Sequence, residues 1–184
     1  KNGGEDIRTQ NGEWPTFGSC GWGDAAAVIP WTLYTFYGDE MLLAEQYPLM
    51  RDWVEYIRRI DREQCQDSHL WSAGFHFGDW LALDNPDKTS CFGGTDNTYV
   101  ATAFYYWSVR LTAKAALVLG VREDAQEYRK LAGEIKKAFQ RKYFDREGNL
   151  RIHTQTAMVL ALYFSLAPAK SRKKVKEELR KNIR

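Results

Sequence analysis

The chain has 184 residues, of which 44% are hydrophobic and 27% charged, as expected for a globular domain that buries one hydrophobic core. Its net charge of +2 is uneven: residues 169–184 carry +6, but Val175, Leu179 and Ile183 recur there every four residues, which indicates an amphipathic helix with a solvated basic face and argues against nucleic-acid binding. No apolar run reaches the ~18–20 residues of a membrane span, so the sequence predicts none.

The first predicted helix covers residues 24–37, carries almost no charge and ends before Gly38. Because it is hydrophobic on nearly every side, we expect it to be buried all round. Asp24 suits its N-cap or first turn, and Pro30 predicts a kink within it.

The second predicted helix starts at Asp39, another residue typical of an N-cap, and we expect an interruption near Pro48. Beyond the proline, apolar and charged side chains separate onto two faces, which is the pattern of a surface helix. The apolar face consists of Leu49, Trp53, Tyr56, Ile57 and Ile60.

The same alternation of charge-poor and charge-rich segments recurs along the rest of the chain. Residues 98–119 are nearly uncharged and stop at Gly120, whereas residues 123–143 are densely charged with one apolar stripe. Residues 155–166 are again uncharged, and residues 171–184 are again charged. Strand signals are scarce throughout.

Three hairpins of this kind predict an all-α toroid. One hairpin cannot bury an all-apolar helix, but hairpins laid side by side form an inner ring of apolar helices and an outer ring of amphipathic ones. We therefore predict an α/α toroid, or part of one, over residues 1–184. A helical bundle or solenoid is the alternative.

The loops that lead into the charge-poor helices are long and rich in glycine, aspartate and aromatic residues, whereas the return loops are short. This asymmetry places the functional surface at the N-termini of the inner helices, where free N–H groups favour hydroxyls and carboxylates. The first two loops contain "CGWGD" and "FGDW", so Trp22, Asp24, Asp79 and Trp80 are predicted to face one cleft. Indoles that stack on sugar rings, beside carboxylates that bind hydroxyls, favour a carbohydrate site.

Each of these residues also has a purely structural interpretation. Asp24 alone is explained by helix capping and Trp22 alone by packing. His76 shares the second loop with Trp80 and is a weaker candidate, because a structural histidine explains it equally well. We interpret Tyr34 and the tryptophans at 31, 53 and 107 as core, and Asp84 and Asp87 as turn residues.

The three cysteines, Cys20, Cys65 and Cys91, are widely spaced and odd in number, so they predict neither a disulfide framework nor a zinc motif. Cys65, His69 and His76 lie near one another in sequence, but their spacing matches no structural zinc pattern. No metal site is therefore predicted.

Three motifs in chain order carry a resemblance to a known family: "GWGDAA" from Gly21, "GDW" from Gly78 and "TQTA" from Thr154. Together they resemble the catalytic domain of bacterial α-L-rhamnosidases, and the match continues in register from about Gly21 to the end. The resemblance implies a six-hairpin (α/α)6 barrel of twelve helices, of which this chain supplies about six. It also implies that Trp22 and Trp80 are cleft tryptophans that bind the substrate.

That family hydrolyses terminal α-L-rhamnose with inversion, which requires two carboxyl groups about 6.5–9.5 Å apart. The resemblance places the general acid in a Glu-Arg-x-Gly-Trp motif before this segment, and no Glu-Arg precedes "SCGWGD". It places the catalytic base, another glutamate, beyond Arg184. Because the chain also does not begin with methionine, we interpret it as the middle of a catalytic domain in a longer multidomain protein. We expect the isolated segment to be inactive.

The expected partners are a rhamnose-containing glycoside or polysaccharide and the remainder of the parent chain. Acid–base glycoside cleavage needs no cofactor, so none is predicted. Two alternatives remain: another (α/α)6 glycosidase acting on a different sugar, and a non-catalytic carbohydrate-binding helical module. The aglycone, calcium binding, homo-oligomer formation and a cytoplasmic, periplasmic or extracellular location are all left open by the sequence.

Overall fold

Six α-helices and one short 3-10 turn make up the computed structural model, which describes residues 18–82, 87 and 89–182. The helices, numbered in chain order, are α1 (Ala25–Tyr37), α2 (Glu40–Gln64), α3 (Asn97–Val118), α4 (Arg122–Tyr143), α5 (Gln155–Tyr163) and α6 (Arg172–Asn182). The 3-10 turn, Ala169–Ser171, leads into α6. The predicted order of six helices is confirmed, and the stated boundaries agree to within three residues.

Consecutive helices pair as three hairpins: α1 with α2, α3 with α4, and α5 with α6. The charge-poor helices also contact one another in sequence order, α1 with α3 and α3 with α5. Side chains join the charge-rich helices α2 and α4, since Tyr47 donates to Asp124 at 2.7 Å and Tyr128 donates to Glu55 at 3.1 Å. This arrangement of an inner and an outer row is a partial (α/α)6 toroid, as predicted.

Helix α3 lies at the centre of the inner row, and most of its side chains are buried. Aromatic residues of α3 and α4 pack closely in this core; the ring centroids of Tyr99 and Phe139 are 4.6 Å apart. A second cluster of buried side chains, including Leu43 and Met50 of α2, packs between α1, α2 and α3. The middle inner helix is therefore enclosed by neighbours on both sides.

The expectation that α1 is buried all round is wrong. Only Ala27 and Pro30 are buried, whereas Ile29, Phe36 and Tyr37 are 55%, 79% and 78% exposed. The physical reason is that α1 packs only against α2 and α3, so its remaining apolar face has no neighbour among the described residues.

The predicted interruption near Pro48 is also wrong, because α2 runs without a break through 25 residues. Proline removes one backbone hydrogen bond, but flanking side chains hold the helix against its neighbours. Tyr47 and Met50, on either side of the proline, are both buried. Tertiary packing thus overrides the local cost of the proline.

Side chains cap the N-termini of α2, α3 and α5. Asp39 accepts a hydrogen bond from the Leu42 N–H at the start of α2, as predicted. Asp96 and Thr154 do the same for α3 and α5. None of the described helices has the length and apolar character that crossing a membrane requires.

Candidate functional site

Five aromatic side chains form a continuous cluster across the loops that precede α1 and α3. Phe77 lies in the middle, with its ring centroid 5.8 Å from that of Trp22 and 5.1 Å from that of Trp80. Phe92 extends the cluster beyond Trp80 at 5.4 Å, and Phe75 lies 5.0 Å from Phe77. All four contacts are edge-to-face, a favourable geometry for aromatic rings. We call these five residues the aromatic cluster.

The two tryptophans of the cluster are open to solvent. Trp22 is 71% exposed and Trp80 is 43% exposed, although each ring contacts the ring of Phe77. Large exposed indoles on a well-ordered support are typical of a surface that binds a ligand. The structure therefore brings Trp22 and Trp80 to one surface, with Phe77 between them.

Asp24 does not line this surface. Its side chain is completely buried, and it accepts hydrogen bonds from Trp53 Nε1 at 2.9 Å, from the Gly21 N–H at 2.8 Å and from the Ser108 hydroxyl. Burial raises the pKa of Asp24, while these donors act in the opposite direction. The buried carboxylate thus anchors the loop that carries Trp22 to Trp53 and Ser108.

Asp24 occupies the N-cap position of α1, as predicted, but its carboxylate does not cap the helix. The residue precedes α1, but its backbone is already helical and its side chain makes no cap hydrogen bond. The side chain instead turns toward α2 and α3, where it accepts hydrogen bonds from Trp53 and Ser108.

Asp79 is also nearly buried, at 8% exposure, and fixes the second loop. The hydroxyl of Thr95 donates to its Oδ2 at 2.6 Å, and the hydroxyl of Thr156 donates to its Oδ1 at 2.7 Å. The Thr95 hydroxyl also lies 2.6 Å from that of Thr154, the N-cap of α5. Asp79 therefore ties the loop that carries Trp80 to the N-terminal ends of both α3 and α5.

His76 points into the protein, away from the aromatic cluster. Its Nδ1 accepts from the Cys20 N–H at 3.2 Å and its Nε2 donates to the Ala73 carbonyl at 3.1 Å, which defines the neutral tautomer. Burial lowers the pKa of His76 to about 4. This buried position is that of a structural histidine, which was the alternative to substrate binding for His76.

The other candidate residues do not belong to the aromatic cluster. Cys65, His69 and His76 do not assemble, because His76 is engaged with Cys20, whereas His69 lies beside Asp61 and Asp67. All three cysteines are free thiols. Tyr34 packs beside Trp31 at the edge of the second core cluster, as expected. Asp87 accepts hydrogen bonds from Thr89 in a turn, and Asp84 lies outside the described residues.

Several residues that build the site have only weak signals in the sequence. Phe75 and Phe77 alternate with the buried His76, and this period of two in "FHF" is a signal that the two rings share one side. Thr95 and Thr156 had a weaker signal, their position at the starts of α3 and α5. Nothing local indicated Ser108, which reaches Asp24 from the middle of α3.

The chemistry of this surface is suited to binding. The aromatic rings offer flat apolar faces, and the N-termini of α1, α3 and α5 lie at the same end of the inner row. The two carboxylates of the loop motifs, Asp24 and Asp79, are both buried and occupied by protein donors. Neither is available to transfer a proton to a ligand on the surface.

Comparison with known proteins finds relatives that match most of the chain. Residues 6–184 match the family model described as the bacterial alpha-L-rhamnosidase 6 hairpin glycosidase domain. An alpha-L-rhamnosidase of Alteromonas sp. (strain LOR) is 39% identical over 160 residues, covering 85% of this chain and 17% of that protein. One from Streptomyces avermitilis is 36% identical over 162 residues, covering 88% and 14%. The chain thus spans about one sixth of the length of these relatives.

Solved structures show the same fold. The native α-L-rhamnosidase of Aspergillus terreus superposes with a TM-score of 0.81 at 31% identity, covering 95% of this chain and 20% of that one. The Streptomyces avermitilis enzyme, solved in complex with L-rhamnose, gives a TM-score of 0.76 at 32% identity, covering 97% and 17%. With the inner and outer rows of helices, these matches show that the chain belongs to the bacterial alpha-L-rhamnosidase six-hairpin glycosidase domain family.

Proposed function

We propose that this chain forms one wall of the rhamnose-binding cleft in an α-L-rhamnosidase, and that the aromatic cluster stacks on the sugar. The observation that carries this proposal is the pair of exposed indoles, Trp22 and Trp80, on either side of Phe77. A deoxysugar with a methyl group presents more apolar surface than a fully hydroxylated hexose, which suits a wall made of aromatic rings.

We further propose that the parent enzyme inverts the anomeric configuration and that its general acid and base are supplied by residues outside residues 18–182. An inverting site needs two carboxyl groups that flank the scissile bond with a water molecule between one of them and the sugar. Asp24 and Asp79 do not suit either role, because each carboxylate is buried and accepts hydrogen bonds from protein donors. Their contribution is to position Trp22 and Trp80.

Rhamnose binding by the chain is tested by titration with L-rhamnose while tryptophan fluorescence is followed. We expect a saturable change, and we expect Trp22→Ala and Trp80→Ala each to weaken binding about tenfold, since loss of a stacking ring removes roughly 1.4 kcal/mol. Leu117→Ala is the control, because Leu117 is 57% exposed at the opposite end of α3. Equal affinities for wild type and both tryptophan variants would contradict the proposal.

Catalysis is tested separately. An assay of the purified chain with a chromogenic α-L-rhamnoside is expected to show no turnover, whereas the full-length parent should release rhamnose with inversion. A sugar panel on the parent distinguishes the alternatives: release of glucose or mannose in place of rhamnose supports another glycosidase, and binding without any hydrolysis supports a non-catalytic module.

A further inference from the structure

A groove between α3 and α4 concentrates positive charge far from the aromatic cluster. Four basic side chains line it, two from each helix, and no acidic residue among the described ones contributes to its wall. They are Arg110, Lys114, Arg129 and Lys136, and we call the space they surround the cationic groove. Its volume is about 350 Å³, which is ample for a hydrated anion or a small ester.

The charge of this groove is not balanced by neighbouring helices. Helix α3 contains no acidic residue. Glu123, in the first turn of α4, is exposed and does not line the groove, and the other acidic residues of α4 lie on the α2 side. Asp124 pairs with Arg51 at 3.3 Å, and Glu127 pairs with Arg58. Glu134 lies near His69, also on that side. In the described part of the chain, Lys114, Arg129 and Lys136 form no ion pair, although the ammonium group of Lys114 lies 5.1 Å from the centroid of the Trp31 ring.

The shape of the fold explains why the groove is open. Helix α5 has 9 residues, against 22 in α3, so it covers only one end of its neighbour. Arg110 marks the boundary, because it donates to the Phe164 carbonyl at the end of α5 at 3.2 Å. That bond uses one of its five N–H donors, which leaves the guanidinium able to bind an oxyanion. Beyond Arg110, toward the C-terminus of α3, the surface formed by α3 and α4 is not covered by α5.

The basic side chains of the groove repel one another, and this repulsion favours the binding of a ligand of opposite charge. The pKa of Lys136 is lowered by burial first and then by Arg110 and Arg172. The pKa of Lys114 is lowered by burial and by Arg110 in the same way. A bound anion removes this repulsion, and a concave site of one sign raises the local concentration of counter-ions.

We infer that the cationic groove binds a tetrahedral oxyanion, namely a phosphate or sulfate group, either free or carried as an ester on a sugar. Paired guanidinium and ammonium donors match such a group, because Arg offers a planar fork and Lys a point charge. Arg110, the first basic residue of the groove, lies about 20 Å along α3 from its N-terminus, at 1.5 Å per residue. The groove is thus a separate site, and its existence does not depend on the proposed function of the aromatic cluster.

The test is calorimetric titration of the chain with sodium phosphate at an ionic strength held constant with NaCl. Arg129→Gln/Lys136→Gln is expected to weaken phosphate binding about tenfold or more, since it removes two charge-assisted contacts. The matched control is Lys130→Gln/Arg141→Gln, which removes the same two residue types from α4 outside the cationic groove and should leave the affinity within about twofold. Lys114→Gln, a single change on α3, gives a second measurement if the double variant does not fold.

Two ligands identify the source of the oxyanion. Equal affinity for inorganic phosphate and glucose 6-phosphate supports a free anion, and tighter binding of the ester supports a sugar-borne group; neutral glucose should not bind at this site. The inference is overturned if wild type shows no saturable phosphate binding at constant ionic strength, or if the two double variants bind phosphate equally well.

Discussion

The indole nitrogen of Trp53 donates a hydrogen bond of 2.9 Å to Oδ1 of Asp24, which joins the outer helix α2 to the loop that presents Trp22. The Trp53 ring also fills the space beside Gly18 and Gly23 of that loop. The loop that carries the exposed Trp22 therefore packs on a second, partly buried indole, and the buried carboxylate of Asp24 links that indole to the Gly21 N–H. This support explains how a short glycine-rich loop holds a large exposed ring in place.

Trp53→Phe removes the hydrogen bond while it keeps most of the ring area. We expect a loss of about 1.5–3 kcal/mol in the free energy of unfolding, because the bond ends on a buried carboxylate. Urea denaturation measures this, with Trp31→Phe as the matched control, since Trp31 packs against Tyr34 and Lys114 at a half-buried position. Equal losses in the two variants would show that ring packing, and not the hydrogen bond, is what matters.

Gly23→Ala and Gly133→Ala should change stability in opposite directions. A Cβ at Gly23 would overlap the Trp53 ring, so we expect a loss of about 1–3 kcal/mol and a weaker hold on the loop. A Cβ at Gly133, within α4, meets no atom within 4 Å, and alanine there should gain about 0.5–1 kcal/mol through its helix propensity. Thermal melts of the two variants decide this; a stabilising Gly23→Ala would contradict the close approach.

His76 should make the chain less stable in mild acid. Its pKa is about 4 in the folded state, below the ordinary value near 6.5, so between these values the unfolded state binds the proton and the folded state does not. Stability from this group is complete above about pH 6.5 and is lost as pH falls toward 4, to a total on the order of 3 kcal/mol.

The measurement for His76 is urea denaturation at several pH values for wild type and His76→Gln. The difference in unfolding free energy between the two isolates the histidine from Asp24, whose raised pKa favours folding as pH falls. That difference should shrink as the pH decreases from 6.5 to 4. His153→Gln is the control, because His153 is exposed; a difference that stays constant with pH for His76→Gln would contradict the buried neutral imidazole.

Thr156→Val should loosen the loop that carries Trp80. The substitution keeps the shape of the side chain but removes the hydroxyl that donates to Asp79 at 2.7 Å, at an expected cost of about 1–3 kcal/mol. Thr156→Ser retains the hydroxyl and should restore most of the stability. Hydrogen exchange of the amides of Leu81 and Gly93, which bond across the loop to Cys91 and Asp79, reports the loosening directly. Unchanged protection in Thr156→Val would refute it.

The sequence by itself determined the order of elements. Charge-poor and charge-rich segments alternate because an inner helix of a toroid contacts other helices on several sides, whereas an outer helix keeps one face in water. The positions of Trp22 and Trp80 next to glycine and aspartate likewise follow from local motifs. The same local pattern did not determine the continuity of α2 through Pro48, since burial of Tyr47 and Met50 depends on helices distant in sequence.

Only the tertiary structure decided what each polar residue does. Asp24 has the sequence position of an N-cap, but Trp53 and Ser108, 29 and 84 residues away, draw its carboxylate into the interior. The sequence makes His76 a candidate for ligand binding, whereas its hydrogen bond with the Cys20 N–H, 56 residues away, fixes its ring in the interior. The cationic groove also depends on the tertiary structure, because the short helix α5 leaves part of α3 and α4 uncovered. A one-dimensional pattern records the solvent preference of a side chain, whereas its partner is chosen by the three-dimensional arrangement of the chain.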